Sequence, residues 1–210
     1  MITVHHLNNS RSQRILWLLE ELELPYVIKA YTRDLTTNLA PPELKAIHPL
    51  GKSPVIEDDG RIVTESGAIT DYIIRRHGHG RLAPTPGTDA HETYLEWLHF
   101  AEGSAMTPFL LALYTARLGE AGAPLQPRIQ EQIGAHVAYL SQSLGSNDWL
   151  VENTLSGADV MMSFIAEIAS AQGLGVQFPN LAAYVKRFQS RPAWQAAAAK
   201  TEPYNFMMKS

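Results

Sequence analysis

Over residues 1–82, short apolar runs alternate with amphipathic stretches. Residues 2–7 are β-rich, polar Asn8-Asn9-Ser10 follow, and Ile15, Leu16, Leu18, Leu19 and Leu22 then recur at helical spacing, which predicts strand, turn and helix. After Leu24-Pro25 the apolar run 26–31 predicts a second strand and so a β-α-β unit, right-handed if its strands are parallel. A short helix is expected around 42–47. Residues 53–57 and 61–64 flank Asp58-Asp59-Gly60, whose Asp-Gly pair marks a hairpin. From Glu65, the positions Ile69, Tyr72, Ile73 and Arg76 step as a helix until Gly78 and Gly80 stop it. The order is β-α-β-α-β-β-α.

Residues 83–88, Ala-Pro-Thr-Pro-Gly-Thr, are the expected linker, which gives domains 1–82 and 89–210. Beyond it the pattern predicts helices over 89–118, 127–144, 156–171, 181–189 and 192–200, with no competing strand and no internal repeat. The fold class expected is an α/β domain followed by an all-α helical bundle.

Composition sharpens this. The 210 residues include no cysteine, which excludes disulfides, thiolate metal sites, Cys-x-x-Cys redox chemistry and a cysteine nucleophile, so any sulfur chemistry comes from a ligand. A formal net charge of -4, from 17 basic and 21 acidic residues with no basic run, argues against nucleic acid as a partner. The first six residues have no signal-peptide pattern and the longest apolar stretch, 109–114, is too short for a membrane span, so the cytoplasm is the expected compartment and no membrane is expected as a partner. Eight histidines do not make a metal site: His5 and His6 are adjacent on a strand and point to opposite faces, and His77-x-His79 has no carboxylate cluster nearby. No glycine-rich nucleotide loop is present, since Gly51-Lys52-Ser53 lacks the upstream glycine and the long helix that follows one.

Four segments carry candidate chemistry. In Asn8-Asn9-Ser10-Arg11-Ser12-Gln13-Arg14, Ser10-x-x-Gln13 fits a capping box at the start of the first helix. A hydroxyl that accepts a helix N–H still has its own proton to donate, so Ser10 can cap and also stabilise a bound anion. His48-Pro49-Leu50-Gly51-Lys52-Ser53-Pro54-Val55 leads a loop into a strand. In Thr64-Glu65-Ser66, Ser66 can offer a hydroxyl and a first-turn N–H to a carboxylate, while Glu65 can accept from an ammonium. Ser156-Gly157-Ala158-Asp159 before an apolar run fits a second, structural capping box.

Taken together and in this order, these segments resemble the cytosolic glutathione transferases along essentially the whole chain, and within them the serine-type, theta/delta-like bacterial members. The resemblance implies a thioredoxin-like first domain and a detoxifying transferase that uses glutathione as co-substrate and no metal. It implies Ser10 as the catalytic hydroxyl, with Ser12 as the alternative. It implies glutathione binding by Ser10, Lys52, Ser53, Val55, Glu65 and Ser66, with Pro54 a structural cis-proline; His48 and Ser53 depart from the family's loop. The absence of cysteine excludes the cysteine-type branches, and the missing Ser-Ser-Cys turn disfavours a zeta-type isomerase.

The helix over 89–118 carries Trp97, Phe100, Met106, Phe109, Leu110 and Tyr114, a stripe read first as core or subunit interface, which Gly103 and Pro108 should bend. By resemblance, Met106, Phe109, Tyr114 and Phe206 line the pocket of a small hydrophobic electrophile. The resemblance further implies a homodimer, with Glu92, Glu96 or Glu102 as candidates to reach across it. The alternatives on the same scaffold are a glutathione-dependent peroxidase or disulfide-bond reductase, or a non-catalytic glutathione-binding protein.

Overall fold

The structure, a computed structural model, describes residues 1–204 and 206. The chain divides into two compact units, the first comprising Met1–Ala83 together with the stretch from Gln189, the second Pro84–Phe188 together with Phe206. The division falls inside the linker stretch; packing groups residues 189–204, which the sequence attaches to the helical unit, with the first.

The first unit holds a four-stranded mixed sheet of order β2-β1-β3-β4, built from β1 (Ile2–Leu7), β2 (Tyr26–Tyr31), β3 (Val55–Asp58) and β4 (Arg61–Thr64). β1 runs parallel to β2 and antiparallel to β3, and β3 pairs antiparallel with β4. The hairpin turn follows its chemistry: Asp59 and Gly60 both take positive φ, 47° and 78°, as a tight turn matching strand twist requires. Helix α1 (Ser12–Glu21) presents Ile15, Leu16, Leu18 and Leu19, all fully buried. The short α2 (Glu43–Ile47) sets Leu44 against Leu7 and Tyr31, and α3 (Ser66–His77) packs on α1 and on the β3–β4 hairpin.

Asp58, at the end of β3, is buried and ties α3 to the hairpin, accepting from Tyr72 Oη at 3.0 Å and from His77 Nε2 at 2.7 Å. Burial pushes its carboxyl up, but those hydrogen bonds and nearby positive charge outweigh burial and hold it below the ordinary 3.8. A depressed carboxyl contributes stability that is full above its unfolded value and is lost as pH falls through the folded one. Asp58→Ala is therefore expected to cost about 1–3 kcal/mol at neutral pH by stranding the Tyr72 hydroxyl. Its acid limb in a pH series of thermal melts should be shallower than that of the wild type; parallel limbs would exclude this account.

The second unit is helical: α4 (Asp89–Phe100), α5 (Met106–Ala116), α6 (Gln126–Leu144), α7 (Gly157–Ala171) and α8 (Pro179–Gln189), with α9 (Pro192–Ala198) lying in the first unit. The single helix expected over 89–118 is corrected. Residues Ala101–Ala105 form a π-helical segment between α4 and α5, in which the Met106 N–H reaches back to the Ala101 carbonyl. Gly103 weakens the helix there, and Pro108, lacking an N–H, cannot continue the ordinary ladder to residue 104, so the wider turn absorbs the mismatch. A 3₁₀ segment, Gly119–Leu125, precedes α6. α7 is buried on every side, from Gly157 to Ala169, and forms the core of its unit. Its start carries the expected capping box: Ser156 Oγ accepts the Ala158 N–H at 3.2 Å, and Asp159 accepts the Ser156 N–H at 2.9 Å. No helix among the described residues is long and apolar enough to cross a membrane.

Candidate active site

The sheet and α1 converge on a turn. β1 leaves the sheet at Leu7, the Asn8 N–H bonds the Tyr31 carbonyl at 3.1 Å, and Asn9 takes a positive φ of 49° before Ser10. The capping box expected at Ser10 is not formed, and this is a correction. The helix starts one turn position later, with Arg11 at its cap and no side-chain cap, and Gln13 Oε1 is buried without a hydrogen bond. Ser10 Oγ still accepts the Ser12 N–H, at 3.3 Å.

Around Ser10 runs a chain of hydroxyls. Ser10 Oγ lies 2.7 Å from Ser12 Oγ, which lies 2.8 Å from His6 Nδ1. Ser10 also donates to Ser53 Oγ at 3.3 Å. The Ser53 proton is committed elsewhere, to the His5 carbonyl at 2.8 Å, while Ser53 Oγ accepts the Leu7 N–H at 3.2 Å. The side chain thus extends the β1–β3 pairing past Val55 and spans the place where Pro54 has no N–H to give. Ser12 is completely buried, and burial lowers the pKa of His6, favouring its neutral form. Ser10, itself buried, links Ser12 to Ser53 within this chain, and the 3.3 Å contact to Ser53 is its longest hydroxyl–hydroxyl bond.

The loop before β3 is shaped for close approach. Gly51 has φ +57°, and a Cβ there would stand 2.8 Å from Lys45 Cγ, so any side chain would be strained and would have to push Lys45 aside. The Ser53–Pro54 peptide bond is cis. Val55 opens β3 opposite His5 and Thr64. Lys52 is exposed. At the start of α3, Glu65 holds a left-handed φ of 69° with its side chain exposed, which costs a non-glycine residue about 1–3 kcal/mol, while Ser66 is buried at the first helical position. Its hydroxyl and the helix N-terminus make a positive end suited to a carboxylate.

Among the sequence-derived candidates, Ser10 is hydrogen-bonded to both Ser12 and Ser53, and Lys52, Glu65 and Ser66 stand on the neighbouring loop and helix start. The four apolar candidates all fall in the second unit. Met106 and Phe109 are interior, Tyr114 is 55% exposed, and the Phe206 ring packs edge-on to Phe164 at 5.6 Å. The sequence reading missed His6 as a site residue; the available signal was its alternation with Ile2 and Val4, which sets it on the same face of β1 as those two buried side chains.

Residues 1–75 match the family model described as glutathione S-transferase, N-terminal domain, and residues 100–192 match glutathione S-transferase, C-terminal domain. Over 217 residues, 96% of this chain and 88% of the relative, the chain is 33% identical to glutathione S-transferase 3 of Schizosaccharomyces pombe. The chain belongs to the glutathione S-transferase family. Glutathione S-transferase 1 of Saccharomyces cerevisiae is 31% identical over 95% of each chain. The crystal structure of a glutathione S-transferase from Actinobacillus pleuropneumoniae superimposes with a TM-score of 0.89, covering 98% of this chain and 95% of that one at 35% identity. Every polar residue of the site described above lies within the matched N-terminal glutathione S-transferase domain, and the family's co-substrate is glutathione. Among the described residues no cluster of three or more histidines and carboxylates could hold a metal ion.

Proposed function

We propose that this transferase conjugates glutathione to small apolar electrophiles, with the Ser10 hydroxyl donating to the sulfur and stabilising the thiolate. The observation that carries this reading is the arrangement of hydroxyls at the mouth of α1, where Ser12 is buried against His6 and Ser10, set between Ser12 and Ser53, can turn its proton from the 3.3 Å contact with Ser53 to a bound sulfur. A free thiol of pKa about 8.5 must be depressed by about two units to be mostly thiolate at neutral pH, or about 2.7 kcal/mol. A hydrogen bond to a charged acceptor contributes about 1.5–3 kcal/mol and a helix N-terminus about 0.3–1 kcal/mol, which together suffice. The thiolate then attacks the electrophile, and the leaving group or the adjacent atom takes up the electron pair.

In this reading the γ-glutamyl carboxylate lies at Ser66, its ammonium at Glu65, the cysteinyl backbone beside Val55 after cis-Pro54, and the glycyl carboxylate near Lys52; Ser53 chiefly holds the loop to β1. The electrophile lies against Met106, Phe109, Tyr114 and Phe206. The protein works as a cytoplasmic homodimer, in keeping with its family. Ser66→Ala is expected to raise the glutathione KM by about tenfold, the loss of one hydrogen bond to a charged group, with kcat changed far less; an unchanged KM would remove Ser66 from the site.

Turnover of glutathione with an aryl halide, an organic hydroperoxide and a mixed disulfide tests the reaction class. Fastest turnover of the aryl halide is expected. Dominant peroxide or disulfide turnover would assign the redox reactions instead, and glutathione affinity with silence in all three assays would assign a binding protein.

A further inference from the structure

The turn that carries Ser10 is gripped by a residue outside the glutathione site. Arg33 lies two residues beyond the end of β2. Its Nε–H donates to the Asn8 carbonyl at 3.1 Å, one terminal nitrogen to the Asn9 carbonyl at 3.0 Å, and the other to the Asn38 carbonyl at 3.1 Å. In return its backbone N–H donates to Asn8 Oδ1 at 2.8 Å. The guanidinium is a planar fork of donors, so three bonds of this kind fix the direction of the carbonyls as well as their distance. Its third anchor is itself braced: Asp34 accepts from the N–H groups of Thr36 and Thr37 at 3.1 and 2.7 Å, and the Asn38 N–H returns to the Asp34 carbonyl at 2.9 Å.

Direction matters here because of peptide geometry. The Asn9–Ser10 bond is trans, so its carbonyl and its N–H point opposite ways. Holding the Asn9 carbonyl on Arg33 turns the Ser10 N–H away from Arg33, and that N–H has no hydrogen-bond partner among the described residues. We propose that Arg33 is a positioning residue for glutathione transfer: by fixing the Asn8 and Asn9 carbonyls, it presents the Ser10 hydroxyl and the Ser10 N–H together to the glutathione sulfur. The role rests on the reading of Ser10 as the thiolate donor. Arg33 touches neither the sulfur nor the electrophile; it acts through the backbone of the turn.

The test is a pH titration of the thiolate absorbance of enzyme-bound glutathione, with steady-state kinetics, on the wild type, Arg33→Ala, Arg33→Lys and Ser10→Ala. Arg33→Ala is expected to raise the bound thiol pKa by about one unit, from about 6.5 to about 7.5, which lowers the thiolate fraction and kcat by about threefold at about pH 7 and by nearly tenfold at about pH 5.5. The glutathione KM should move by less than about threefold, and the rate deficit should close at high pH. Arg33→Lys keeps the charge without the fork; it should show the same shift, and it decides the matter if the alanine variant does not fold. A lysine variant with the wild-type thiol pKa overturns the proposal, as does an alanine variant that melts lower but keeps that pKa. If Ser10→Ala raises the pKa and neither Arg33 variant does, the positioning role falls and the serine reading stands. If Ser10→Ala itself leaves the pKa unchanged, the serine reading falls and takes the role of Arg33 with it.

Discussion

Replacing Ser10 with Ala is expected to lower kcat at neutral pH by roughly 10- to 100-fold, the equivalent of losing a hydrogen bond of about 1.5–3 kcal/mol to the bound thiolate. The glutathione KM should move by less than about threefold, because the peptide's own carboxylates and amide groups still have their partners. The defect is electrostatic, so it should shrink as pH approaches the ordinary thiol pKa of about 8.5, where glutathione ionises unaided. Ser12→Ala is the control. Ser12 is fully buried and bonded to His6 Nδ1, so its loss should weaken the fold more than the turnover. If Ser12→Ala carried the kinetic loss and Ser10→Ala did not, the roles of the two hydroxyls would be exchanged.

The largest loss of stability is expected from Asp159→Ala. The carboxylate is completely buried at the start of α7 and accepts from the Leu150 N–H at 3.0 Å, the Ser156 N–H at 2.9 Å and Tyr184 Oη at 3.0 Å. Alanine strands all three donors inside the core of the second unit, and breaking a buried network of this kind costs about 3–5 kcal/mol. For a chain of this length each kcal/mol moves Tm by about 2–4 °C, so a drop of roughly 6–20 °C is expected. A change below about 1 kcal/mol would show that the cap is dispensable.

pH separates the two buried aspartates. Burial pushes the Asp159 carboxyl up to about 6, against the pull of its donors. The folded chain therefore binds this proton more tightly than the unfolded one, and the group's contribution to stability falls as pH rises from about 4 to about 6. Asp58 does the opposite, losing its contribution as the medium turns acid. Thermal melts of Asp159→Asn should lack the first slope and retain the second.

Much of this was legible in the residues themselves. Alternation and the Asp59-Gly60 turn expose the strands, and Ser156 and Asp159 announce the start of α7, because those devices are local. The π segment at Ala101–Ala105 was hidden, since apolar positions at helical spacing stand on both sides of it and a five-residue run is too short for a change of period to register. The cap expected at Ser10 failed for a related reason: spacing shows that a box could close, but the turn is set by Arg33, 25 positions from Asn8. The link from Ser10 to Ser53 spans 43 positions and depends on the sheet register, which no local pattern reveals.

The helix α9 packs along α1, and Arg191 forks onto Glu21, 170 positions away, while Lys200 pairs with Glu20. Chains are synthesised from the N-terminus at about 5–20 residues per second, and contacts this distant in sequence close late. On the ribosome, α1 therefore emerges well before α9, and the side of α1 that α9 covers stays open until residues 192–200 have left the exit tunnel.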